Sequence, residues 1–220
     1  MFHAVTYSTS YLFTFPTLIK DLDAWNASVA YAKSTIPDAA YRKAYFCDAC
    51  VYGSGTSRSI DIVPDLWQAA DLFWPQLMSM PKMSFTDFWQ WLAKKKYDKH
   101  SNLAHKGKKI FPQFGLLISY LLMVDYAYAG LVSPPSMAEL ANIVKHINAG
   151  GVHGLQLLGL LDMASGSTLS NNSIQKAFED FYHFLDSSLT LEEKMDTGFD
   201  IFVVEHLLCK ITCLQSHIFG

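Results

Sequence analysis

The chain has 220 residues, half of them hydrophobic and 17% charged, with a formal net charge of −3 at pH 7. That composition supports a filled core and argues against a disordered chain. The slight acidic balance excludes a global field that would recruit nucleic acid or anionic membrane, so any such attraction has to be local.

The N-terminal stretch MFHAVTYSTSYLFTFPTLIK lacks a basic n-region and a clean apolar core before a small-residue cleavage site. No signal peptide is evident, and a soluble, cytoplasmic chain with reduced thiols is expected, with nuclear residence left open. Residues 1–16 read as a short extended arm or an irregular helix. From Thr17 to Lys33, Leu18, Leu22, Trp25 and Val29 recur at helical spacing. Pro37 opens a second helix to about Tyr52. The run GSGTSRS at 53–59 is a flexible connection. Pro64 to Trp74 forms the next helix, with Leu66, Trp67, Ala70 and Phe73 on one face, and Pro75 should end or kink it.

Ser84 and Asp87 then cap a helix that turns Phe85, Phe88, Trp89 and Leu92 inward. It leads into a lysine-rich segment, and 97–109 reads as a flexible loop. The run FGLLISYLLMVDYAYAGLV, Phe114 to Val132, holds one charge, Asp125. Its length meets the minimum for a membrane span. The off-centre carboxylate and the scattered Tyr120, Tyr126 and Tyr128 argue instead for a core helix that is apolar on all sides, so no transmembrane span is expected.

Ser136 and Glu139 form a capping box for a helix to about Asn148. NAGG breaks it, and Val152 to Met163 is a short Leu-rich helix. A polar loop at 165–173 precedes a helix striped by Ile174, Ala177, Phe178, Phe181 and Leu185. Thr190 and Glu193 cap one further turn that Gly198 ends, and Phe199 to about Ile218 closes the chain as a buried helix. No stretch alternates with period two. The expected fold is all-α, one globular domain over 1–220 with eight to ten helices packed around the buried 114–132 helix.

Four constellations could carry chemistry. Seven of the seventeen Lys and Arg fall in one short segment: Lys94, Lys95, Lys96, Lys99, Lys106, Lys108 and Lys109. Clustered against an acidic background, they could hold the phosphates of a nucleic acid, a nucleotide or an acidic lipid surface, or meet an acidic protein. The plainer reading is a helix end complemented by cations, followed by a solvated loop. Cys47 and Cys50 share a helical face, and His206, Cys209, Cys213 and His217 form one stripe on the last helix. Zinc is the metal such ligands suit if two helices face each other, although buried thiols are also ordinary core residues.

Asp125 on the stripe of Phe114, Ile118, Leu121 and Tyr128 must be satisfied or protonated if it is buried. With Tyr128 it marks a candidate catalytic pair in an enclosed aromatic pocket. The step Asp180–His183 is only half of one di-metal motif. The hairpin Ser136–Met163 lacks the arginines of a DNA reader. Two function classes follow. The first is a non-catalytic helical binding protein that meets an acidic partner through 94–109. The second is an enzyme with a pocket near Asp125, assisted by zinc at the Cys/His stripe.

Overall fold

The computed structural model describes residues 20–35, 63–79, 83–97, 107–111, 114–147, 150–161 and 169–218. Outside them lie the expected arm at 1–16, the helix from Pro37, the 53–59 connection, Cys47, Cys50, Lys99 and Lys106; of His217 only the helical backbone is described.

The fold is all-α. Among the described residues there are nine helices: α1 (Leu22–Thr35), α2 (Val63–Ser79), α3 (Phe85–Lys94), α4 (Leu116–Tyr128), α5 (Met137–Ile147), α6 (Gly150–Leu157), α7 (Asn171–Ser188), α8 (Leu191–Thr197) and α9 (Ile201–Ile218). None of them is long and apolar enough to cross a membrane. The chain gathers into two compact units, one of Met1–Met83 and Phe88–Tyr126, the other of Ser84–Asp87 and Ala127–Gly220.

In the first unit, α1 buries Trp25, and α2 buries Leu66 and Ala69 rather than Ala70. Helix α2 does not stop at Pro75 but runs through it to Ser79. A proline removes the donor that the carbonyl four residues earlier would use. Here Asp71 and Pro75 are both exposed, so water can serve that carbonyl. Helix α3 sets Trp89, Leu92 and Ala93 inward, and the Trp89 indole Nε1 donates to the Leu116 carbonyl at 2.8 Å. A buried indole needs such a partner.

The apolar run forms α4, shorter than the run itself because Gly130, at φ +70°, turns the chain just after it. Its fully buried residues are Ser119, Tyr120 and Met123, so it is not the most buried helix; α5 alone buries Leu140, Ala141, Ile143 and Val144.

The second unit is organised by caps and small residues. The Ser136–Glu139 box forms as expected: the Ser136 backbone N–H donates to Glu139 Oε2 at 2.8 Å, and Glu139 N–H donates back to Ser136 Oγ at 3.3 Å. Thr86 Oγ1 donates to the other carboxylate oxygen at 3.3 Å. These donors, the Ser136 N–H first, hold the Glu139 carboxyl below its ordinary value. The Thr190–Glu193 box also forms, and its Ser-like donor pair lowers Glu193 in the same way. Gly198 then ends α8 in the left-handed conformation. The pair Gly198 N–H to Met195 O and Phe199 N–H to Lys194 O closes that end as a Schellman motif.

Helix α7 begins at Asn171, inside the expected polar loop. Ser170 Oγ accepts from Ser173 N–H at 3.0 Å and starts the helix three residues early. Helix α9 begins on a cap that the sequence reading did not single out. Asp200 Oδ1 accepts from the N–H groups of Phe202 and Val203, both at 2.8 Å.

The most extensive helix pairings are α6 with α9 and α5 with α7. Glycines make the first of these possible. At Gly151 a Cβ would instead meet α5, 2.9 Å from Val144 Cγ1; against α9, one placed on Gly154 would lie 2.4 Å from the Leu208 carbonyl oxygen and one on Gly150 3.1 Å from Cys209 Cα. Only a residue without a side chain lets the two backbones come this close. Thr212 Oγ1 adds a bond across the pair, donating to the Gly150 carbonyl at 2.7 Å. Helix α5 ends at Ile147, at the expected break, and the glycines of NAGG open the next helix at Gly150. The turn at Gly159, φ +71°, ends α6 short of the expected Met163.

Candidate functional site

The lysine segment is the one sequence candidate whose described members the fold brings together. Lys94 closes α3, where a cation complements the carbonyl end of the helix dipole. Beyond it the chain does not enter an open loop at once. Lys96 and Lys109 face each other in an isolated antiparallel bridge. The flanking bonds are Tyr97 N–H to Lys108 O and Ile110 N–H to Lys95 O, each 3.0 Å.

Those two bonds fix the type of pairing. They run between the neighbours of Lys96 and Lys109, not between the two lysines themselves. The lysines are thus a non-hydrogen-bonded pair, the closer-set of the two antiparallel kinds, with Cα atoms about 4.5 Å apart. Side chains of such a pair leave the same face. Lys96 and Lys109 are both exposed, while Ile110 beside them is buried and Tyr97 half-buried. Lys94, Lys95 and Lys108 are exposed as well. The expected flexible loop at 97–109 is therefore pinned at its two ends.

An aromatic cluster in the same unit carries the bridge. Tyr97 on one arm contacts Phe73 (ring centroids 6.1 Å apart), and Phe111 on the other contacts Trp91 at 5.7 Å. Phe73 and Trp91 meet edge to face at 6.0 Å, and Phe111 meets Phe114 at 5.6 Å. Each such contact contributes about 0.5–1.5 kcal/mol beyond the area it buries. Burial, and secondarily the charge of Asp65, raise the Tyr97 phenol above its ordinary value, so it remains a neutral anchor.

Like charges set directly opposite each other on a pair of strands are destabilising. Among the described residues the ion pairs are Lys176–Asp180 and Lys194–Asp186, and neither reaches the bridge. The bridge thus concentrates positive charge on an exposed face.

The second candidate set is placed differently. Asp125 is exposed. Its stripe begins buried at Phe114, passes half-buried Ile118 and Leu121, and reaches solvent at Asp125 and Tyr128. A helical stripe fixes which residues share a face, not how far along that face the core extends. The neighbouring Tyr126 phenol is raised by burial and, secondarily, by the Asp125 charge. Tyr128 is 58% exposed; its hydroxyl donates to Asp200 Oδ1 at 3.3 Å, and its ring meets Phe202 edge to face. Tyr128 therefore supports the cap of α9, and the expectation of a buried Asp125 does not hold.

Among the described residues no group of three or more His, Cys, Asp or Glu side chains is placed to hold a metal ion. His206 and Cys213 are exposed. Partial burial, and then Lys210, lower the His206 imidazole. Cys209 is half-buried and donates its thiol proton to Glu205 Oε1 at 3.2 Å. Burial first, and then the Glu205 carboxylate, push the thiol far above its ordinary range. Zinc takes a thiolate, so a metal here would have to displace that proton.

Sequence reasoning passed over Glu205, a carboxylate only 7% exposed beside the Gly151 approach. It was visible only as a neighbour of His206, because a single acid within an apolar helix does not announce which face it takes. No family model, no curated protein and no solved structure matches the chain.

Proposed function

We propose that this chain is a non-catalytic helical binding protein that engages an acidic partner, protein or nucleic acid, through the lysines on the two arms of the Lys96–Lys109 bridge. The bridge itself carries the reading. It gathers Lys94, Lys95, Lys96, Lys108 and Lys109 onto adjoining exposed backbone in a chain whose overall charge is negative. The anchoring of both arms on Phe73 and Trp91 supports a cation array that is partly organised before a partner arrives.

The test is a four-residue change, Lys95, Lys96, Lys108 and Lys109 to Ser. Retention of wild type and variant is measured on immobilised polyglutamate and on immobilised oligonucleotide at rising salt. Wild type should be retained on at least one support and released as salt rises, because surface cations bind through screened charge. The variant should keep the helical circular dichroism and elute without retention. Equal retention of the two proteins would overturn the proposal.

A further inference from the structure

We propose that the Lys96–Lys109 pair is a seat for a dianionic phosphate monoester, an inference that rests on the binding role proposed above and names the group the site prefers. Three observations lead there. The two lysines occupy the close, non-hydrogen-bonded position of an antiparallel bridge, so their stems rise together from one exposed face. Their mutual repulsion has no carboxylate answering it among the described ion pairs. The array contains lysines only: Lys94, Lys95, Lys96, Lys108 and Lys109, with no arginine.

The charge balance selects the ligand. A single carboxylate or a phosphodiester brings one negative charge and leaves one of the paired ammoniums unanswered. A phosphate monoester brings nearly two, with three acceptor oxygens that two ammonium groups can share. Lysine is a rotatable point charge rather than a planar fork, so it suits the rounded phosphate end better than the bidentate edge of a carboxylate. The other described lysines lie beside the pair and add attraction without geometric demand. Among the described residues, Asp65 is the carboxylate whose charge reaches Tyr97. The phosphate can come from a free phosphorylated small molecule or from a lipid headgroup.

The experiment is a titration of the full chain, followed through the lysine side-chain signals by nuclear magnetic resonance. The probes are methyl phosphate and dimethyl phosphate at equal ionic strength. Methyl phosphate should give a saturable shift of the Lys96 and Lys109 signals, and dimethyl phosphate a much weaker one. The second ionisation of a phosphate monoester lies near 6, so its affinity should rise about tenfold from pH 5 to pH 7.5. Any other effect of pH on the charge of the lysine face acts on both anions alike. The diester reads that effect separately.

Lys96→Ser and Lys109→Ser should each abolish the preference for the monoester, while Lys210→Ser, at an exposed position outside the array, leaves it in place. Vesicles carrying phosphatidic acid, compared with phosphatidylglycerol vesicles of equal surface charge, distinguish the sources. Tighter binding to the former than to methyl phosphate assigns the headgroup, and no gain assigns the free compound. Equal responses to the two methyl esters, or a preference that survives Lys96→Ser, would overturn the seat. Either result leaves the retention test of the broader binding role standing, so the two ideas can fail independently.

Discussion

The described parts of the two units differ in how they pack. The first shows large rings in contact at 5.6–6.1 Å, from Tyr97 through Phe73 and Trp91 to Phe111 and Phe114. The second has ring contacts too, Tyr182 with Phe199 at 5.1 Å among them, and adds a backbone approach, with Gly150 and Gly154 letting α6 lie on α9. Ring contacts tolerate tilt and small displacements, because each ring has several neighbours. A backbone approach has no such reserve, since nothing at the contact can rotate away. The glycine contact of the second unit should therefore be less forgiving than the ring contacts of the first.

Three substitutions sharpen that contrast. The largest effect should come from Gly154→Ala, whose single added carbon would sit 2.4 Å from a backbone oxygen. Relief requires α6 and α9 to separate, and overpacking of this kind costs about 3 kcal/mol. Urea unfolding measures it, and a loss below about 1 kcal/mol would show that the two helices part easily.

Next comes Trp89→Phe in the first unit, at a side chain 1% exposed. It removes far more volume and also the hydrogen bond to Leu116 O. The phenyl ring still fills most of the site, so about 2 kcal/mol is expected, less than for the glycine. If Trp89→Phe proved the more damaging of the two, the contrast between the units would be wrong.

The smallest effect is that of Glu139→Gln, and it should depend on pH. The Ser136 donors hold the folded carboxyl below its unfolded value. A carboxyl lowered in this way stabilises the fold above the unfolded value, about 4.3, and that contribution is lost as pH falls through the folded one. The variant should be less stable than wild type by about 1 kcal/mol at pH 7 and nearly equal to it at pH 3. The same difference at both pH values would mean that the carboxylate's charge is not what the cap uses.

Local chemistry was legible in the sequence, and distant geometry was not. The boxes at Ser136–Glu139 and Thr190–Glu193 could be read because both partners lie within one turn. The all-helical fold followed from the spacing of residues such as Ile174, Phe178 and Phe181, which are buried as expected. Asp125 was misplaced because periodicity says nothing about where a stripe leaves the core.

Gly150 and Gly151 read only as a helix break, and Gly154 only as a member of the next helix; periodicity carries no sign that Gly150 and Gly154 face another backbone. The bridge at Lys96 left no trace in the sequence. One antiparallel pair is too short to alternate, and seven lysines read as solvent-facing in any conformation.

The bridge also has a consequence on the timescale of proton exchange with solvent. Among the described residues, two backbone N–H groups close it, those of Tyr97 and Ile110. An exposed pairing of this size opens at far lower free energy than the core, so these two amides should exchange early while those of α5 persist. A ligand that binds only the closed form must slow them in proportion to its occupancy. Tyr97 and Ile110 are thus a built-in pair of clocks: their exchange rates would register whatever occupies the lysine face, without any need to know in advance what it is.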